Sequence, residues 1–151
     1  MLPDPPPPPP APGDAVRAVR GSCACGRVRY RLAGEPTTAR FCHYSRCRKA
    51  RAAGHAANLM AAIDAVRFSE GAGEIATWRV PGARFFAHAF CRHCGGSVPR
   101  LDREREVAIA PMGGLDDDPG VRPVCHIFAG SRARWDEIRD GLPGYDEGLP
   151  A

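Results

Sequence analysis

Gly21-Ser22-Cys23-Ala24-Cys25-Gly26 and Cys91-Arg92-His93-Cys94-Gly95-Gly96 are two short cysteine clips separated by 65 residues. Each spacing lets one ion reach two sulfurs at about 2.3 Å, and four thiolates from two such clips satisfy a tetrahedral structural zinc. An ion that takes both clips ties the first strand region to the middle of the chain, which is no small finger. A glycine follows the second sulfur of each clip, where backbone wrapping an ion needs positive φ or a close approach. The alternatives for these thiols are small buried side chains or halves of a disulfide framework. With no charged and apolar leader in front of them, zinc is the favoured reading.

Outward from the first clip, Val28, Tyr30 and Leu32 alternate with Arg27, Arg29 and Arg31, the period of two of a strand with one buried face. Gly34-Glu35-Pro36 ends it. Further strand-like stretches fall at 38–41, 57–63, 66–68, 75–80, 85–90, 107–109 and 124–128, punctuated by turn residues such as Gly71-Ala72-Gly73 and Pro81-Gly82. The expected fold is mainly β. Two short helices are also expected: one capped by Ser45 and running over 46–53 with Cys47 in its first turn, the other capped by Ser131 and running over 132–138. Cys125 reads as a small core residue, residues 116–118 as a turn, and Trp78 and Trp135 as core or pocket wall.

At 151 residues, 44% hydrophobic and 25% charged, the chain has the make-up of one globular domain that buries about two-thirds of its unfolded surface. No apolar run approaches the roughly 20 residues of a membrane span. The net charge of +4 rests on arginine, with Lys49 the lone lysine, and its spread along the chain argues against a nucleic-acid partner. Arginine's planar fork does suit carboxylates and phosphates, although most of these arginines read as solvated surface. Seven cysteines, an odd number without a leader, point to a reduced, cytoplasmic protein whose clustered thiols are ligands or catalytic groups. Pro5 through Pro10 run unbroken, so residues 1–14 are expected to be a disordered polyproline II tail. The domain is then expected over 20–146, with 147–151 as a C-terminal tail.

Between the clips lies Phe41-Cys42-His43-Tyr44-Ser45-Arg46-Cys47-Arg48-Lys49-Ala50, with two more thiols five positions apart. Taken alone, it has two readings. Cys42 and Cys47 ligate a second zinc, or Cys47, near a helix start and beside Arg46 and Arg48, has a lowered thiolate pKa. With this stretch in place, the chain resembles the glutathione-dependent formaldehyde-activating enzymes and the related centromere protein V-like domains. The resemblance runs from 21–26 through Cys42-His43, Cys47-Arg48-Lys49 and Phe90-Cys91-Arg92-His93-Cys94-Gly95. It continues with residues 114–119, His126-Ile127-Phe128, Trp135 and Gly141-Leu142-Pro143-Gly144-Tyr145.

What the resemblance implies is a single domain of β-tent type organised around a structural zinc on Cys23, Cys25, Cys91 and Cys94. It also implies a second, catalytic zinc held by three cysteines in a CxCxxC clip, and a carbon-sulfur lyase activity written as joining formaldehyde to glutathione. This chain departs from that pattern at Tyr44, which stands where the family has the middle cysteine of the clip. A phenol of pKa about 10 must lose its proton to bind well, and is a poorer ligand than a thiol of about 8.5. The second zinc at Cys42 and Cys47 is therefore expected to be weaker or altered, with His43, His55 or Tyr44 itself as candidates to complete it.

Two functions follow from these readings. In the first, the protein is a zinc-dependent carbon-sulfur lyase acting on a thiol adduct such as S-hydroxymethylglutathione, with Cys42 and Cys47 in the site and Arg46, Arg48 and Arg84 meeting substrate carboxylates. In the second, the middle site is catalytically degraded, and the domain is a zinc-binding module for a protein or nucleic-acid partner.

Overall fold

The computed structural model describes residues 18–34 and 36–150; the tail expected at 1–14 lies outside them, as does residue 151. The strands are β1 (Val19–Ser22), β2 (Arg29–Leu32), β3 (Thr38–Cys42), β4 (Ala56–Ala62) and β5 (Val66–Glu70). After them come β6 (Ile75–Arg79), β7 (Ala87–Cys91), β8 (Arg100–Asp102), β9 (Val107–Pro111) and β10 (Pro123–Ile127). One α-helix, α1 (Ser45–Arg51), joins β3 to β4. The fold among the described residues is thus mainly β, with one helix and several sheets, and no helix is long and apolar enough to cross a membrane.

The strands form three sheets: β1-β2-β5, β10-β3-β4-β9-β8, and the hairpin β6-β7. All pairings are antiparallel except β10 against β3. A core of Val19, Tyr30, Leu32, Leu59 and Val66 with four alanines lies between the first two sheets. Because Ala39, Ala61, Ala108 and Ala110 are all small, the layers approach closely and each buries little apolar area. A smaller cluster of Cys23, Val28, Ala89, Cys91 and Val98 extends this core to the cysteine clips.

Tyr30 shows how tightly the layers meet. Its ring is buried, and its hydroxyl donates to the Gly114 carbonyl at 2.8 Å. A Cβ on Gly21 would lie 2.3 Å from that ring, so only glycine fits there. Asp102, 7% exposed, plays the same pinning role at the far edge, accepting from Arg100 Nη1 and from the Nε, Nη2 and backbone N–H of Arg105. Burial works against its charge, but the Arg105 and Arg100 hydrogen bonds outweigh this and hold its carboxyl below the usual range. Its contribution to stability is present above the unfolded pKa of about 3.9 and is lost as pH falls through the lower folded value. Asp102→Ala leaves Arg100 buried without its partner and should cost on the order of 3 kcal/mol. Thermal melts at neutral pH check this; an unchanged melting temperature would refute it.

Helix α1 starts at Ser45, with Tyr44 as N-cap and no side-chain cap bond, so Ser45 is the first helical residue rather than the cap. Seven residues are too few for independent stability; the basic last turn of Arg48, Lys49 and Arg51 and the left-handed Ala52 close the helix. The helix expected over 132–138 is absent. After Ala129–Ser131, a single 3-10 turn, the chain turns back so that Pro143, Tyr145 and Glu147 bond along β10. Trp78 and Trp135, at 54% and 74% exposed, are outside the core and line neither of the two hollows described below. Cys125 is buried as expected; the turn expected at 116–118 is a bend at 116–117, where Asp117 pairs with Arg20, and Asp118 accepts from the Gly120 N–H just after it.

Candidate functional site

The end of β1 and the end of β7 bring Cys23, Cys25, Cys91 and Cys94 together, with all four sulfurs within 4.8 Å of one another. Cys23 Sγ lies 3.6 Å from Cys25 Sγ, which lies 3.8 Å from Cys91 Sγ. A tetrahedron with bonds of 2.3 Å has edges of about 3.8 Å, so the donor set fits one zinc ion. None of the seven cysteines is bridged. Gly26 and Gly95, after the second sulfur of each clip, have φ of +73° and +71°, the left-handed turn their positions call for.

Backbone amides also face this cluster, with Val28 N–H donating to Cys23 Sγ at 3.3 Å and Gly96 N–H to Cys94 Sγ at 3.4 Å. Burial opposes ionisation of Cys94, but the Gly96 and Cys25 amides and the neighbouring sulfurs bring its pKa down to about 6. The Arg27 amide favours the Cys25 thiolate, yet desolvation and the sulfurs of Cys94, Cys23 and Cys91 together push it up to about 11. Four thiolates this close repel one another unless a cation sits among them.

Cys42, at the end of β3, and Cys47, in α1, meet at the wall of a cleft of about 480 Å³. Their sulfurs are 3.4 Å apart, close enough to share one proton. The bond with Cys47 lowers the pKa of Cys42, helped by the Tyr44 amide and the charges of Arg40 and Arg51, while that same bond and burial raise Cys47. The lowered thiol is thus Cys42 rather than Cys47. Neither arginine flanking Cys47 in sequence faces it: Arg46 packs over the Tyr44 ring, and Arg48 Nε donates to the His43 carbonyl.

Arginines surround the cleft: Arg40, Arg46, Arg51, Arg84, Arg100 and Arg105. Arg40 Nε, Arg51 Nε and Asn58 Oδ1 are buried without a protein partner. Burial lowers the pKa of Arg51 and of Arg100, the mark of cations held out of water. Arg51 Nη1 donates to Ser97 Oγ at 2.9 Å, which links the cleft to the loop carrying Cys94. Of the arginines singled out by sequence, Arg46 and Arg84 line the cleft and Arg48 does not. The ones missed had a signal: Arg40 is two residues before Cys42 on one strand face, and Arg51 is four after Cys47 on one helix face.

His43 and His55 do not join Cys42 and Cys47. They line a separate hollow with His126, Asp136 and Asp140, and among the described residues no His, Cys, Asp or Glu completes a three-ligand set with the two thiols. The reason is alternation: Cys42 faces the cleft, so its neighbour His43 faces away. Tyr44 does line the cleft, with its ring 5.2 Å from Phe128 and 6.3 Å from Phe86.

Comparison with known proteins agrees with this geometry. A crystal structure of a Rhodobacter sphaeroides protein superposes with a TM-score of 0.54 at 28% sequence identity, covering 69% of this chain and 91% of that one. No curated protein matches the sequence. The family model described as glutathione-dependent formaldehyde-activating enzyme matches residues 18–131, a span that holds all four clip cysteines as well as Cys42 and Cys47. The chain belongs to that family.

Proposed function

We propose that the protein is a carbon-sulfur lyase of the glutathione-dependent formaldehyde-activating type, acting on a thiol adduct of a small aldehyde in the reducing cytoplasm. The observation that carries this reading is the thiol pair inside an arginine-rich, desolvated cleft. A glutathione adduct has two carboxylates for such forks and a sulfur to set beside Cys42 and Cys47. The cleft volume falls in the range of small-molecule sites. On this reading the catalytic domain is a β-tent type unit over 20–146, with one zinc on Cys23, Cys25, Cys91 and Cys94 supplying folding energy.

A family-type zinc at Cys42 and Cys47 would act as a Lewis acid on the adduct oxygen. Two sulfurs without a third protein ligand do not make that site, so the step proposed here runs on the thiols. In the synthetic direction, Cys42 accepts the proton of the incoming thiol as its sulfur attacks the aldehyde carbon. The carbon-sulfur bond forms, the carbonyl π pair moves to oxygen, and the Cys47 thiol protonates that oxygen. Transfer of the proton from Cys42 to Cys47 across their 3.4 Å contact restores the pair, and the reverse sequence cleaves the adduct.

Exchange NMR of formaldehyde with glutathione tests the proposal. Wild type should speed equilibration by about 10²–10⁴-fold, and Cys42→Ser should remove that gain. Arg51→Ala should raise KM about tenfold or more, the cost of one charged hydrogen bond. No acceleration by folded wild-type protein overturns the enzyme reading. Tyr44 in place of the third thiol favours a second reading, a module that binds the adduct without turnover; saturable binding with no acceleration would select it.

A further inference from the structure

His43 Nδ1, His55 Nδ1 and Asp136 Oδ2 lie within 4.8 Å of one another beside a hollow of about 340 Å³. All three atoms are buried, and none has a hydrogen-bond partner. His43 Nδ1 is 3.4 Å and His55 Nδ1 3.8 Å from Asp136 Oδ2. Convergent buried polar atoms that all go unsatisfied are costly unless something sits among them.

A chain of hydrogen bonds runs behind the cluster, from His43 through His126 to Asp140. Asp140 can only accept, so His126 Nε2, at 3.0 Å from both its carboxylate oxygens, carries a proton. In the tautomer that carries its one proton on Nε2, His126 presents a lone pair at Nδ1, to which His43 Nε2 donates at 2.8 Å. With its one proton on Nε2, His43 turns the Nδ1 lone pair toward the Asp136 carboxylate. Two acceptors face each other across 3.4 Å, an arrangement that calls for a cation between them.

We propose that His43 Nδ1, His55 Nδ1 and Asp136 Oδ2 form a binding site for one divalent first-row transition ion. Bonds of about 2.1 Å in a tetrahedral set give ligand separations of about 3.4 Å, close to those observed. Two imidazoles and one carboxylate select a borderline ion such as zinc, iron or cobalt over magnesium or calcium, which prefer all-oxygen shells. The remaining positions open to the hollow. The relay from His43 through His126 to Asp140 is the support that orients a ligating imidazole. Gly54 leaves room for the carboxylate, since a Cβ there would lie 2.6 Å from Asp136 Oδ2. Phe41 packs against one ligand ring and the relay ring, with centroids 4.5 Å from His55 and 5.0 Å from His126. The site is distinct from the thiol cleft and does not depend on the lyase reading.

Cobalt(II) is the probe, titrated into the full-length protein with its thiolate-bound metal in place and followed by metal analysis and optical spectra. Wild type should take up one more equivalent than Asp136→Asn or His55→Gln at a free cobalt concentration that saturates wild type. The difference spectrum between wild type and either variant should show visible ligand-field bands without near-ultraviolet sulfur-to-cobalt charge transfer. Asp140→Asn, which keeps the side-chain shape and an oxygen for the Leu142 N–H but removes the carboxylate behind His126, should weaken this uptake by about 10–100-fold. Equal uptake by wild type and both variants, no uptake by wild type, or a difference spectrum dominated by sulfur charge transfer overturns the proposal. The wild-type titration decides the matter even if a variant folds poorly.

Discussion

Cys91→Ser protein is expected to come out of purification without stoichiometric zinc and without a cooperative thermal transition. Cys91 is fully buried, sits at the end of β7, and belongs both to the sulfur cluster and to the apolar cluster with Val28 and Val98. Structural zinc on four thiolates contributes roughly 10–16 kcal/mol, as large as the whole net stability of an ordinary domain at about 5–15 kcal/mol. The core cannot make up such a loss, because so many of its positions are alanine. A strong chelator under denaturing stress should give the same outcome in wild type. Zinc content per chain and circular dichroism melts decide it, and a metal-free Cys91→Ser protein that melts cooperatively would remove the structural role given to the cluster.

The second large effect concerns Tyr44. Tyr44→Cys supplies a third sulfur beside Cys42 and Cys47 and should raise thiolate-bound zinc from one to two equivalents per chain. Dividing the roughly 10–16 kcal/mol of a four-ligand site gives about 3 kcal/mol per thiolate, or about a hundredfold in affinity. Counting is cleanest in an Asp136→Asn background, where only sulfur sites remain, using sulfur-to-cobalt charge transfer. The His55→Ala change should leave thiolate-bound metal untouched with either residue at 44, since His55 faces the other hollow. If wild type already holds two thiolate-bound ions tightly, or if His55→Ala strips one of them, the description of the thiol pair as a two-sulfur site fails.

The strands were readable where the chain alternates over a buried face, as at Tyr30 and Leu32, because a period of two survives in a single sequence. They were not readable in β1, whose Val-Arg-Gly-Ser has one large apolar residue, or in β8, whose Arg-Leu-Asp is charged at both ends. β1 is held by a partner distant in sequence, Asp117 on Arg20, whereas β8 depends on pairing along β9 and on the neighbouring Arg100 and Arg105 that fix Asp102. The four-sulfur cluster was legible since each clip is local and each supplies two thiols at metal-ligand spacing. The histidine cluster was not, because His43, His55 and Asp136 share no spacing and Asp136 comes from an irregular segment that sequence reading assigned to a helix. Solvation decides the cleft arginines: composition gives twenty indistinguishable guanidiniums, and only packing shows which few are dry.

The parallel pairing of β10 with β3 sets the order in which the protein can be made. Ala39 pairs with Pro123 and Cys42 with Ile127, and the first cysteine clip closes only on Cys91 and Cys94. Contacts of such long range are slow to form and cannot begin before both partners exist. At about 5–20 residues per second, a growing chain leaves Cys23 and Cys25 without Cys91 and Cys94, and Cys42 without its strand neighbour Ile127, for several seconds. During that interval the ribosome carries a half-site of bare thiols, open to oxidation or to capture of the wrong ion. The yield of active protein should therefore depend on the redox state and free zinc of the cell during translation, more than on conditions applied after the chain is released.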